Sequence, residues 1–298
     1  MDKLITSIDL GSNSFRVLQY DCKSKKQIVQ YETAVGLADG LKQSGKISKE
    51  AIQRVLKAIS KSKEKIAYNG TKVIAVTTQA MRSAKNSKEV METILEKTGI
   101  SFNIIEPHKE AELTLLAMQY ALKREKVKDD NFLLLDIGGG STELIIYKKG
   151  KEQIISFPYG IVTLAQSTKK QEDFNKLETL LKEFVSNQDL SESIFVSTAG
   201  TPTTLAALKC GLNYETYDKE IINGTTLHLK EIKMYQDELN SLNKKELIKR
   251  VGSGRDDFID TGINIFTLFY KVLNKESSVV FDDGLREGVA IEYCLSIS

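Results

Sequence analysis

Apolar residues follow two rhythms along this chain. Leu4–Leu10, Phe15–Asp21 and Gln27–Val35 are short runs with β-branched residues, and a Gly-Ser-Asn break follows the first. They read as an antiparallel meander. Lys49–Tyr68 carries Ile52, Val55, Leu56, Ile59 and Ile66 at three- and four-residue steps, with Ser48 before it. That spacing predicts an amphipathic helix with a capped start. Strands are predicted at Thr71–Thr77 and Phe102–Ile105. Helices are predicted at Ser87–Lys97 and at Lys109–Lys123, where Leu113, Leu116, Ala117 and Tyr120 share a face. The charged stretch Lys123–Asp130 reads as a linker.

Beyond it the opening pattern returns, with strands predicted at Phe132–Ile137, Ser141–Lys148 and Glu152–Phe157. A helix at Glu172–Val185, a strand at Ile194–Thr198 and a helix at Thr203–Lys209 follow. Then come a strand at Thr225–Leu229, helices at Lys230–Leu239, Lys244–Arg250 and Asp257–Leu273, a strand at Ser278–Phe281 and a last helix at Leu285–Ser296. Interleaved strands and helices predict an α/β fold. The repeated opening predicts two domains, 1–126 and 127–284.

The repeat also carries chemistry. Ile8-Asp9-Leu10-Gly11-Ser12-Asn13-Ser14 aligns with Leu135-Asp136-Ile137-Gly138-Gly139-Gly140-Ser141, and apolar residues resume after each. Each copy reads as strand, tight turn, strand. Glycine admits positive φ and close backbone approach, and successive N–H groups in such a turn form an anion-binding concavity. An Asp at the strand end stands beside the bound phosphates, where Mg²⁺ needs a ligand. A Gly-rich turn alone is weak evidence; two in register, each with Asp, Gly and Ser, point to a pair of phosphate-binding hairpins.

Composition narrows the field. The 298 residues hold 42 Lys plus Arg against 40 Asp plus Glu, a net charge of +2. That balance argues against a dedicated duplex nucleic-acid binder. The chain is 41% hydrophobic and 28% charged, which reads as soluble and folded. No apolar run approaches a membrane span, and Met1-Asp2-Lys3 leads straight into the first strand without signal-peptide architecture. Cys22, Cys210 and Cys294 are far apart, and His108 and His228 are isolated. Neither a structural zinc site nor a disulfide framework is expected, and a reduced, cytoplasmic setting fits. With His so scarce, acid–base chemistry falls to carboxylates. Arginine is scarce too, at positions 16, 54, 82, 124, 250, 255 and 286. Its planar fork suits phosphate oxygens.

Glu110 falls in the first turn of a predicted helix, where the dipole favours a carboxylate; on local grounds a solvated N-terminal residue is the preferred reading. Ser197–Thr203 ends a strand and opens a helix, which suits anion binding or plain capping. Lys57, Lys61 and Lys65, and the cluster Lys244, Lys245, Lys249 and Arg250, read as solvated faces or as a track for a polyanion.

Taken together, these segments resemble the exopolyphosphatase/guanosine pentaphosphate phosphatase family of the actin, sugar-kinase and heat-shock ATPase superfamily. The motifs are Ile8–Arg16, Thr77–Arg82, Ile104–Leu113, Asp136–Glu143, Ser197–Leu205, Gly254–Asp257 and Gly284–Gly288. The resemblance spans essentially the whole chain. It implies two actin-like (ribonuclease H-like) α/β domains with an interdomain active-site cleft and the C-terminal helix, 285–298, packed on the first domain. It implies hydrolysis of terminal phosphoanhydrides in polyphosphate, guanosine pentaphosphate or both. Glu110 then maps to the catalytic base, and Glu143 helps hold metal or water. Asp9, Asp136 and Glu143 would manage Mg²⁺, with Mn²⁺ as a stand-in and K⁺ as a further cation left open. Gly11, Ser12, Asn13, Ser14, Arg16, Arg82, Gly138, Gly139, Gly140 and Ser141 would hold substrate phosphate. No membrane or duplex partner is implied, and a homodimer is an open state. Longer members carry a C-terminal HD-type helical domain; this chain ends before one.

The sequence departs from the family pattern at one place. Glu106-Pro107 replace the usual Ser-Gly, and Lys109 replaces the first Glu of a pair. Lys109 is expected to add positive charge near the phosphates. Two other functions stay open: a kinase of the same superfamily using a nucleotide near Gly200, and a non-catalytic alarmone-binding regulator.

Overall fold

The computed structural model describes residues 4–127 and 130–297. Met1–Lys3, Ser298, and Lys128 and Asp129 of the charged stretch lie outside the described residues. The contacts divide the chain into two units, Met1–Ala117 with Gly284–Ser298, and Met118–Asp283.

The first unit holds strands β1 (Leu4–Leu10), β2 (Ser14–Asp21), β3 (Lys26–Ala34), β4 (Lys72–Thr77) and β5 (Phe102–Ile104). Its sheet runs in the order β3-β2-β1-β4-β5. The meander β1–β2–β3 is antiparallel, and β4 and β5 are parallel to β1. Strand β1 lies buried from Ile5 to Leu10, as a central strand covered on both faces must. Helices α1 (Leu41–Ser44), α2 (Lys49–Lys65), α3 (Gln79–Ser83) and α4 (Ser87–Thr98) connect these strands, and α5 (Pro107–Arg124) leaves β5. The Ser48 hydroxyl accepts from the Ala51 N–H and caps α2.

The second unit repeats the plan with β6 (Asn131–Ile137), β7 (Thr142–Lys148), β8 (Lys151–Phe157), β9 (Ile194–Thr198), β10 (Thr225–His228) and β11 (Ser277–Val280). The order is β10-β11-β9-β6-β7-β8, again an antiparallel meander with β9 parallel to β6. Helices α6 (Ile161–Ala165), α7 (Lys170–Val185), α8 (Gly200–Lys209), α9 (Lys219–Ile222), α10 (Leu229–Ser241), α11 (Lys244–Val251) and α12 (Ile259–Val272) belong here. Its core includes an aromatic cluster in which Tyr270 meets Phe195 at 5.0 Å and Phe266 at 4.9 Å between ring centroids.

The last helix, α13 (Leu285–Ser296), belongs to the first unit and packs on β1 and β2. Gly288 makes close packing on α5 feasible: a Cβ there would sit 2.0 Å from the Leu113 carbonyl oxygen. The return of α13 overturns one expectation. Cys22, just past β2, is disulfide-bonded to Cys294 of α13 across 272 residues. Spacing rules compare cysteines near one another in sequence. They carry no information about a terminal helix that folds back onto the opening hairpin.

Candidate active site

In an open sheet with parallel strands, ligands gather beyond the carboxyl ends of those strands. Strands β1, β4 and β5 finish level with one another, since Leu10 pairs with Thr77 and Thr77 with Ile104. Gly11–Ser14, Gln79–Arg82 and Glu106–Glu110 therefore leave the same edge of the first sheet. In the second unit Asp136 pairs with Thr198 and Ser197 with Val280. Gly138–Ser141, the start of α8 and Asp282–Asp283 leave the corresponding edge.

The first turn is closed by the Gly11 N–H donating to the Ser14 carbonyl at 2.9 Å. Its outer carbonyls face a support at residues 35–38. Val35 and Gly36 N–H donate to the Asn13 carbonyl at 2.7 and 3.0 Å, and Ala38 N–H to the Ser12 carbonyl at 2.8 Å. In a trans peptide plane the C=O of one residue opposes the N–H of the next. The N–H groups of Asn13 and Ser14 are thus turned away from the support, as an anion cradle requires.

The second turn is built the same way on a different support. Ile161 N–H donates to the Gly138 carbonyl at 2.9 Å and Val162 N–H to the Gly139 carbonyl at 2.8 Å. The Thr163 hydroxyl reaches the Gly140 carbonyl at 3.2 Å. The first turn of α6 thus holds the turn from behind and directs the Gly139 and Gly140 N–H groups outward. Gly160 lets α6 approach: a Cβ there would lie 2.5 Å from the Ser141 nitrogen and 2.6 Å from the Gly139 carbonyl carbon. One expectation needs correction here. Neither Gly11 nor Gly138 occupies the left-handed region. At Gly138 the need is for space, because a Cβ would meet the Ser141 oxygen at 2.9 Å.

Arg82 and Glu110 meet at this edge of the first sheet. Both Arg82 Nη1 and Nη2 donate to Glu110 Oε2 at 3.0 Å. Nη1 also donates to the Ile105 carbonyl at 2.5 Å, and Gln79 Oε1 accepts from Nε at 3.3 Å and Nη2 at 3.1 Å. The two side chains are only 12% and 14% exposed, so the pair is partly withdrawn from solvent screening. Pro107 opens α5, where a missing N–H costs nothing, and Glu110 follows in the first turn. A base candidate and a phosphate-type fork thus share one hydrogen-bonded cluster. The Ppx/GppA phosphatase family profile matches residues 18–297 of this chain.

The chain belongs to the Ppx/GppA phosphatase family.

A solved family member from Aquifex aeolicus is 29% identical, has a TM-score of 0.75, and aligns over 99% of this chain and 98% of its own. An exopolyphosphatase from Cytophaga hutchinsonii, 24% identical, shares the fold with a TM-score of 0.85 over 99% of both chains. The two-sheet α/β architecture is the actin-like fold of these Ppx/GppA proteins. A bifunctional 3-dehydroquinate synthase/phosphatase of Fusobacterium nucleatum subsp. nucleatum is 28% identical over 315 aligned positions, 97% of this chain. The chain spans about half the length of that curated relative, at 46%.

Within this Ppx/GppA chain the carboxylates are set by strand register. Asp136 and Glu143 are direct partners across β6 and β7, which puts their side chains on one face as neighbours. Glu143 is 2% exposed, and the Ser156 hydroxyl donates to its Oε1 at 2.6 Å. Asp9, buried on β1, pairs in register with Arg16. Among the described residues no three His, Cys, Asp or Glu side chains form a metal cluster. Two adjacent carboxylates without a third suit Mg²⁺, which commonly takes one or two carboxylates and completes its shell with water and substrate phosphate.

Arg16 lies 3.4 Å from Glu32, which also meets the buried Arg286 at 3.4 Å, and Arg286 donates to Glu287 at 2.8 Å. Arg286 is therefore structural. Lys109 differs from expectation. Its ammonium lies 2.5 Å from Glu292 of α13 and 3.6 Å from Glu112, so its charge is balanced. The hydrogen bond to Glu292 raises its pKa. Two members of the Lys244–Arg250 cluster are neutralised likewise, Lys244 by Asp256 and Asp257 and Arg250 by Glu238.

Sequence reasoning missed α6 and Ser156, which support the site without a motif of their own, and gave no role to Gln79 within the motif Thr77–Arg82. It also gave no role to Arg54, which holds the 35–39 segment, or to Arg124, whose fork grips the buried Asp283 at 3.0 and 2.8 Å. The scarcity of Arg in a Lys-rich chain was the signal that could have singled out these two.

Proposed function

We propose that this chain hydrolyses terminal phosphoanhydride bonds, with inorganic polyphosphate or the 5′-γ-phosphate of guanosine pentaphosphate as substrate. The observation that carries this reading is the Arg82–Glu110 cluster, with both guanidinium arms on one carboxylate oxygen. A phosphoryl group has the acceptor geometry to compete for that fork. When it takes Arg82, the carboxylate of Glu110 is released beside the reacting phosphorus. Glu110 then accepts a proton from water as the water oxygen bonds to phosphorus. The bond from phosphorus to the bridging oxygen breaks, and orthophosphate leaves with a chain one phosphate shorter. The turns Gly11–Ser14 and Gly138–Ser141 hold phosphate oxygens through their outward N–H groups. Asp136 and Glu143 would hold Mg²⁺, which when bound would neutralise charge on the transferred phosphoryl. Family membership supports this reading, as do the phosphatase named in the Fusobacterium relative and the exopolyphosphatase named in the Cytophaga structure.

Among the described residues no helix is long and apolar enough to cross a membrane. We place the protein in the cytoplasm on the expectation of an intracellular polyphosphate or alarmone substrate. The Cys22–Cys294 disulfide departs from the reduced state expected there, so thiol labelling in lysed cells tests the placement: both thiols free supports it, and both blocked by the disulfide counts against it.

The test is phosphate release from polyphosphate and from guanosine pentaphosphate with Mg²⁺, for wild type and Glu110→Gln. A placed base contributes on the order of 10²–10⁴ in rate, so the variant should lose that much. No release from either substrate by the wild type would refute the hydrolase reading. Equal rates in the variant would remove Glu110 as the base.

A further inference from the structure

We propose that Arg54 is a positioning residue for the phosphate turn Gly11–Ser14. It acts through the segment 35–39 and touches no substrate. The inference rests on the reading of that turn as a phosphate site.

Arg54 stands one turn into α2. Its Nε donates to the Val35 carbonyl at 2.6 Å, and its Nη2 donates to the Gly36 carbonyl and to Asp39 Oδ2, each at 2.8 Å. A single guanidinium thus closes three acceptors of one short segment. The N–H groups of Val35, Gly36 and Ala38 in that segment hold the Asn13 and Ser12 carbonyls. The path from Arg54 to the cradle therefore has two steps: fork to carbonyls 35 and 36, then N–H groups 35, 36 and 38 to carbonyls 13 and 12. Since peptide planes are rigid, holding those carbonyls fixes the direction of the Asn13 and Ser14 N–H groups.

The segment is shaped for this. Gly36 sits at φ +52°, and a Cβ there would come within 2.2 Å of the Asp39 carboxylate. Asp39 N–H returns to the Gly36 carbonyl at 3.1 Å. The support has no sheet or helix hydrogen bonding of its own between Ala34 and Leu41. It is held by the buried side chains of Val35, Leu37 and Ala38 and by these few bonds, three of which come from the arginine fork and fix the peptide planes of Val35 and Gly36. A lysine at this position keeps the charge but cannot present two donors in one plane to adjacent carbonyls.

The experiment compares wild type with Arg54→Lys in the full chain, by steady-state phosphate release from polyphosphate and by calorimetric binding of inorganic tripolyphosphate. Loss of two backbone-directed bonds should weaken KM and tripolyphosphate affinity about tenfold, with kcat within about twofold because Glu110 and Arg82 are untouched. Arg250→Lys, an arginine of similar exposure paired with Glu238, should leave both values unchanged. If Arg54→Lys does not fold, Asp39→Asn loosens the same latch and should raise KM about threefold. An active Arg54→Lys with unchanged KM and unchanged tripolyphosphate affinity overturns the proposal, as does an equal effect of Arg250→Lys. Wild-type protein that binds tripolyphosphate without hydrolysing any substrate would break the catalytic reading alone, and the binding comparison would still decide on Arg54. Wild-type protein that binds no tripolyphosphate would refute the phosphate site and this inference with it.

Discussion

The two phosphate turns have the same local sequence and different supports. Gly138–Ser141 rests on the first turn of α6, backbone on backbone, with the Thr163 hydroxyl added. Gly11–Ser14 rests on an irregular segment, anchored by buried Val35, Leu37 and Ala38, whose carbonyls are braced by the partly exposed side chain of Arg54. A helix turn is held by its own hydrogen bonds, whereas a loop must borrow its rigidity from elsewhere. The repeat therefore duplicates the cradle but not its foundation. The second turn should fail when backbone packing is disturbed, and the first when a side chain is changed.

The largest effect is expected from Gly160→Ala. The new methyl meets the backbone of Ser141 and Gly139, which cannot swing aside. Overpacking of this kind costs about 1–3 kcal/mol, and tripolyphosphate affinity should fall by about 10- to 100-fold. Gly36→Ala on the other support meets the end of the Asp39 side chain, which can move, and adds a left-handed penalty of roughly 1–2 kcal/mol. Calorimetric titration should rank Gly160→Ala above Gly36→Ala. Equal losses would erase the distinction between the supports.

The disulfide sharpens the comparison further, because it belongs to the first unit alone. Cys294→Ser should cost that unit about 2–4 kcal/mol, as is typical for a link across a long loop. Denaturant melts with and without reductant should show the loss in wild type on reduction and no further loss in the variant. A melt that ignores reductant would show that α13 is held by packing alone.

The smallest effect is expected from Lys109→Gln. Its ion pairs are exposed, and pairs of that kind are worth about 0–1 kcal/mol. The pKa of Lys109 is raised in the folded state. Whatever it contributes is therefore present at neutral pH and fades only as pH climbs from the ordinary lysine value through the raised one. A stability difference that appears instead near pH 5–7 would assign it to another group.

Much of the fold was legible from periodicity. The run Leu285–Ser296 is helical from end to end, and the amphipathic stripe of Lys49–Tyr68 forms α2, though its last residues leave the helix. The short helices α1, α3, α6 and α9 were not legible as helices. Four or five residues are too few for a period to show, and their helicity is imposed by what they pack against. One of them, α6, carries the second cradle, so the missed element was also the functional one.

What the sequence determined by itself is local: two strand–turn–strand hairpins with Asp, Gly and Ser in register, and a carboxylate in the first turn of α5. Such features depend on residues a few positions apart, and backbone preferences act at that range. What only the tertiary structure decided is which groups meet. Arg82 reaches Glu110 across 28 positions, Arg54 reaches Val35 across 19, and Cys22 reaches Cys294 across 272. Lys109, expected to face phosphate, is turned to Glu292 instead. These pairings follow from burial of the sheet faces and the return of α13, which bring remote segments to one edge. No local pattern encodes them, because each partner satisfies its own backbone rules equally well without the other.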